Sequence, residues 1–146
     1  MLHAAERWPK VTDASLWPMA VDYAVFIFNH VPNPTTGVAP IELMTRLAWP
    51  WQQLQNLHVW GCPSYVLDPA LHDGKKLPRW KPRSKQSIFV GLSLVHANTI
   101  PLFLFCDTLV ISPQFHVVFD DWFTTVILQQ VEDEAPPWWE TLFGER

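Results

Sequence analysis

The sequence has little sulfur, little glycine and no long apolar run. Its two cysteines, Cys62 and Cys106, are too few for a disulfide framework and form no Cys-x-x-Cys pair, so a reducing compartment is expected. The six histidines (His3, His30, His58, His72, His96 and His116) show no His-x3–5-His spacing, and neither cysteine has a near partner. With only five glycines there is no Gly-rich phosphate loop and no Gly-x-Ser-x-Gly elbow. No metal, no cofactor and no complete catalytic site is expected. His3, Glu6 and Arg7 interrupt the start of the chain, so no signal peptide is read there. The most apolar window, Leu92–Ser112, is broken by His96, Asn98, Pro101 and Asp107 before it reaches membrane-spanning length. The expectation is a soluble intracellular protein, nuclear or cytoplasmic, not secreted and with no membrane partner.

Proline and aromatic residues are abundant. Fourteen prolines in 146 residues is about twice average usage and favours short elements joined by rigid turns. Nine Trp and nine Phe, in a chain 49% hydrophobic and 16% charged, supply a core for one domain, or for part of one plus a small module.

The net charge of −4 conceals a segregation. Residues 74–106 contain Lys75, Lys76, Arg79, Lys81, Arg83 and Lys85 and no acid, whereas residues 107–146 hold eight acids against Arg146. The whole-chain charge therefore says little about partners, because the basic block stands alone.

Read in order, Met1–Trp8 predicts a helix stopped by Pro9. Thr12, Asp13 and Ser15 offer N-caps for a second helix running to about His30, with Pro18 in its first turn. Leu16, Ala20, Tyr23 and Ile27 form one apolar stripe, and Trp17, Val21, Ala24, Val25 and Phe28 nearly close the circle. Such a helix is expected to be buried on most sides. Nothing in the first 56 residues reads as a sheet able to bury it, so a larger N-terminal part is expected to be missing. Pro40 then opens a short helix, Ile41–Leu47, with Glu42 near its positive end.

Six short runs rich in Val, Phe and Ile complete the pattern: Leu57–Gly61, Ser64–Leu67, Ser87–Leu92, Leu102–Cys106, Leu109–Ser112 and Phe115–Phe119. Their length and punctuation predict a small antiparallel barrel or sandwich.

These elements, in this order, resemble the integrase region in the Pol polyprotein of copia-type LTR retrotransposons. The resemblance is carried by Trp17 to Asn29, Pro40-Ile-Glu-Leu, Leu57-x-x-Trp-Gly-Cys, Lys76-Leu-Pro-Arg, Ile88-Phe-Val-Gly and Ile111-Ser-x4-Val-Val-Phe-Asp-Asp, over about residues 8–123. It implies an α+β fold in three parts. Residues 1–50 would be the helical C-terminal remnant of a truncated RNase H-like integrase core. Residues 56–124 would be a small antiparallel SH3-like β-barrel, and residues 125–146 an acidic tail containing Pro and Trp. It also implies a role in DNA integration. The family's catalytic carboxylates and zinc module lie upstream of the matching segment, so this chain alone is expected to be a fragment and not an enzyme. Three positions depart from the family pattern: Ala39 where a Thr cap often stands, Trp60 for Phe, and Phe105–Leu109 without the glycine of that hairpin.

The basic block is the leading site candidate. Lys75, Lys76, Arg79, Lys81, Arg83 and Lys85 span eleven residues, with Trp80 interleaved as an aromatic contact and Pro78 and Pro82 holding the loop extended. That pattern suits contact with the phosphates of DNA or RNA while the indole packs or stacks. A solvated loop that only keeps the barrel soluble explains the same charges. Asp120 and Asp121, adjacent at a strand end, point to opposite faces, so they read as caps and not as a joint metal site. Trp49, Trp51, Trp60 and Trp80 fit either an aromatic groove or core packing. Two further readings stand beside nucleic-acid binding. One is a protein-interaction or assembly module docking on the rest of an integrase core or on a host protein. The other is a decayed remnant without selected function.

Overall fold

The computed structural model describes residues 2–48, 50, 54, 56–68, 71, 78–93, 95–96 and 100–126. Among the described residues three helices precede a sheet: α1 (Leu2–Arg7), α2 (Trp17–His30, entered through a 3-10 turn at Ala14–Leu16) and α3 (Pro40–Thr45). The strands are β1 (Pro63–Leu67), β2 (Ser84–Leu92), β3 (Pro101–Phe105), β4 (Ile111–Pro113) and β5 (Val117–Phe119). The fold is α+β.

Local chemistry sets the helix ends. Pro9 stops α1, and the Trp8 carbonyl then accepts from the N–H groups of Val11 and Thr12 at 3.1 and 2.9 Å. Asp13 caps the 3-10 turn by accepting from the Ser15 N–H at 3.4 Å, and Pro18 occupies the first turn of α2. In α3 the Glu42 carboxylate accepts from the Ala39 N–H at 2.9 Å, a reach-back that needs no capping side chain on Ala39. Arg46 adopts the left-handed region (φ 59°), so α3 stops at Thr45, short of the predicted end at Leu47.

The strands form one antiparallel sheet in the order β4-β3-β2-β1-β5. β4 and β5 lie at opposite edges and do not pair with each other, so the sheet is open and not the barrel that the resemblance implies. The central β2 is buried on both faces from Ser87 to Gly91. Ile88 and Val90 join Ala4, Trp8, Leu16 and Leu104 in one core, while Phe89 joins Tyr23, Cys62, Val66, Phe103 and Phe123 in the other. Side chains from residues 1–50 and from residues 56–124 therefore share both cores. Each fully buried Val, Ile or Phe contributes about 1.5–3 kcal/mol, which makes β2 the spine of the fold. The β2–β3 register shifts between Phe89 and Gly91, a bulge that brings Gly91 (φ 121°) beneath Tyr23 of α2.

Two predicted elements differ from the structure. Leu57–Gly61 is not a strand but an irregular segment ending in a turn at Trp60–Gly61. Gly61 adopts φ 84°, and a Cβ there would run into the Ala4 side chain, so α1 packs directly on this turn. Nor is α2 buried on most sides. Leu16 and Tyr23 are buried and Ala20 and Ile27 half-buried, whereas Trp17, Val21, Val25 and Phe28 on the other face are exposed. The remaining predicted strands lie within two residues of β1 and β3–β5 at each end, and β2 begins three residues earlier than predicted.

Candidate nucleic-acid interface

The basic segment leaves the sheet between its two most central paired strands. Leu67 pairs with Ser84 and Val66 with Lys85, and the Asp68 N–H donates to the Arg83 carbonyl at 2.9 Å, closing the base of the loop. Pro78–Lys81 is a tight turn in which the Lys81 N–H donates to the Pro78 carbonyl at 3.0 Å. Arg79 and Trp80 therefore occupy its tip. Along β2 the burial changes abruptly: Ser84, Lys85 and Gln86 are exposed, whereas Ser87 to Val90 are buried. The strand is anchored at one end and holds cations in solvent at the other.

Arg79, Lys81, Arg83 and Lys85 are all exposed, and Trp80 is 87% exposed. Among the described residues no carboxylate is recorded within ion-pairing distance of these four cations. Lys75 and Lys76 lie outside the described residues. A row of such cations around an exposed indole can meet phosphates while the ring stacks on a base or covers an apolar surface. Trp60 behaves differently. It is half-buried against both cores and its Nε1 donates to the Val90 carbonyl at 3.0 Å. Trp49 and Trp51 lie outside the described residues.

A second polar constellation has no local signal in the sequence. The Tyr23 hydroxyl donates to the His58 carbonyl at 2.6 Å and accepts from the His58 N–H at 3.2 Å. Asp121 accepts from the Val59 N–H at 2.8 Å and holds His58 Nδ1 at 2.9 Å. The His58 ring stacks on Phe119 with centroids 3.5 Å apart. The neighbouring Asp120 turns the other way and accepts from the Thr125 N–H and hydroxyl, both at 2.7 Å, and from the Thr124 hydroxyl at 3.0 Å. Desolvation pushes the Asp120 carboxyl up, but these Thr125 and Thr124 bonds outweigh it and bring it down to about 2. The two aspartates thus end β5, Asp120 capping the turn at Thr124–Thr125 and Asp121 fastening the segment at His58–Val59.

An open groove of about 490 Å³ runs between α2 and Leu57–Trp60, lined chiefly by Ala20, Tyr23, Ala24, Ile27, Leu57 and Trp60. The Tyr23 hydroxyl and His58 Nδ1 at its border are committed to the Tyr23–His58–Asp121 bonds. Nearby Cys62 is fully buried, and burial, reinforced by Asp121, pushes its thiol up to about 12. Burial likewise pushes the Tyr23 phenol up to about 12, against the lowering effect of its His58 bond. Both groups are protonated at neutral pH and act as packing and hydrogen-bonding parts. Cys106 is half-buried, and burial with Asp107 pushes it up to about 11. No group of three or more His, Cys, Asp or Glu side chains placed to hold a metal ion occurs among the described residues. No helix among them is long and apolar enough to cross a membrane.

Searches against protein-family models, curated proteins and solved structures find no match to this chain.

Proposed function

We propose that this chain is a non-catalytic accessory module from the integrase region of a copia-type retrotransposon Pol polyprotein, and that it contributes nucleic-acid binding to DNA integration. On this reading residues 1–50 are the end of an RNase H-like core, and residues 56–124 are the SH3-like part, its five strands forming an open sheet. The ordered motifs from Trp17 to Asp121 support the family. The observation that carries the activity is the set of four exposed cations, without a described carboxylate partner, around Trp80.

The reading fixes an experiment. Lys75, Lys76, Arg79 and Lys81 changed together to Ala should weaken binding to duplex DNA. The slope of log affinity against log salt should flatten by roughly 3 to 4, about one for each phosphate no longer neutralised. An unchanged salt slope sinks the proposal.

The 87% exposure of Trp80 also favours a second reading, a protein-interaction module that docks through this indole. The two separate cleanly. If the partner is a protein, the quadruple charge variant keeps it and Trp80→Ala loses it.

A further inference from the structure

The basic loop and the β3–β4 turn leave the sheet at the same end, and a pocket of about 320 Å³ opens between them. Register explains its floor. Val66 pairs with Lys85 and Ser87 with Phe105, while the Phe105 N–H donates to the Val110 carbonyl at 3.0 Å. Val66, Lys85, Phe105 and Val110 therefore share one face of the sheet. Further along, that face carries Phe89 and Phe103 of the core that Tyr23 joins. The floor is thus the uncovered end of a core, with Val66 buried, Phe105 half-buried and Val110 exposed at its margin.

The rim is polar. Lys85 comes from the loop side, and Asp107 and Thr108 from the turn. Among the described residues none of these three side chains has a hydrogen-bond or ion-pair partner. That separates this pocket from the α2 groove, where the Tyr23 hydroxyl and His58 Nδ1 are committed. We infer that the pocket takes one unpaired nucleobase of a single strand whose phosphates lie on Lys85 and the rest of the basic block. The inference rests on the nucleic-acid reading above and adds which form of nucleic acid, and which base, the chain prefers.

Three features select that occupant. The floor calls for an apolar ring face to cover Val66 and Phe105, Asp107 for a hydrogen-bond donor, and Lys85 for an anion. An unpaired nucleotide joins all three in one unit: ring faces, an exocyclic amine and a phosphate. In a duplex the faces are stacked and the pairing edge is occupied, so only a single strand can offer them. Ligand pockets span about 300–1,000 Å³, and this one, at the small end, suits one base and not a stacked run. Asp107 also sets a choice between bases. A carboxylate accepts from the exocyclic amine of cytosine. Thymine carries a carbonyl at that ring position, which would face the carboxylate acceptor to acceptor.

The test measures binding of the full chain, by fluorescence anisotropy, to a twelve-nucleotide strand of cytosines, the same length of thymines and a mixed-sequence duplex. The cytosine strand is expected to bind about tenfold more tightly than the thymine strand. Asp107→Ala, an exposed position, should bring the two strands level. Val110→Trp fills the pocket from its margin and should weaken the cytosine strand about tenfold. Both variants should keep their affinity for the duplex, which meets only the exposed cations, and that binding also reports that each variant is folded. Equal affinity for the two strands in the unaltered chain, or a cytosine preference that survives Asp107→Ala, would overturn the inference. So would a Val110→Trp variant that holds the cytosine strand as before. In each of these cases duplex binding that the quadruple charge variant weakens leaves the nucleic-acid reading standing. A chain that binds neither form overturns both.

Discussion

At the scale of single residues, backbone conformation is where the sequence is least explicit. Leu109 takes φ 55° in the β3–β4 turn, a left-handed conformation that costs a leucine about 1–2 kcal/mol and that no glycine in the turn announces. Phe123 and Arg46 adopt the same region with no sequence sign of it. Gly61 is the converse case, a glycine required twice over. Its φ of 84° disfavours any side chain, and its missing Cβ makes room for Ala4. Gly37 has a similar φ of 67° but nothing within 4 Å of a Cβ position. The pair separates backbone strain from crowding. Gly37→Ala should cost about 1 kcal/mol in denaturant unfolding, and Gly61→Ala roughly 2–4 kcal/mol, because overpacking adds to the strain. Adding Ala4→Gly to Gly61→Ala should recover only the crowding share. Equal costs at the two glycines would mean that the contact with α1 is not tight.

At the scale of elements, the strands were legible because their apolar runs coincide with their pairing. Leu57–Gly61 misled for a reason that lies far away in the chain. Its valine, tryptophan and leucine read as a strand, yet its amides bond to side chains on α2 and beyond β5, 35 and 62 residues distant. Local pattern cannot report such partners. The apolar circle of α2 was also legible, but not which part of it faces solvent, because that depends on how much sheet lies beneath it. The Tyr23–His58–Asp121 clasp makes its own prediction. Tyr23→Phe removes the partner of the His58 amide, and Asp121→Ala removes that of the Val59 amide. Each should cost about 1–2 kcal/mol. Amide exchange should accelerate at His58 in the first variant and at Val59 in the second, while Phe89, bonded to the Cys62 carbonyl at 3.1 Å, stays protected in both. Full protection of His58 and Val59 in these variants would show that packing alone holds the segment.

At the scale of the whole molecule, the question is whether the helices and the sheet are separable. Composition and motif order suggest a boundary between residues 50 and 56, because the helical and strand-like patterns change there. The packing runs across it. Trp8, 9% exposed, fits against Leu16, Ile88, Val90 and Leu104, and its Nε1 donates to the Gly61 carbonyl at 3.1 Å. No local pattern reveals this, since a tryptophan before a proline at a helix end has no periodicity to betray what it covers. If that shared core governs folding, the N-terminal helices and β2 must melt together. Trp8→Ala removes a large buried ring and should cost about 3–5 kcal/mol, a substantial part of the roughly 5–15 kcal/mol that holds a typical domain. Trp8→Phe keeps most of the packing and loses the hydrogen bond, at a cost nearer to about 1 kcal/mol. The decisive measurement is coincidence. Unfolding followed by helical ellipticity and by amide exchange at Ile88 and Val90 should shift by the same amount in Trp8→Ala and remain one transition. Two separated transitions, with the sheet unmoved by the substitution, would instead make the helices and the sheet independent units joined near residue 50.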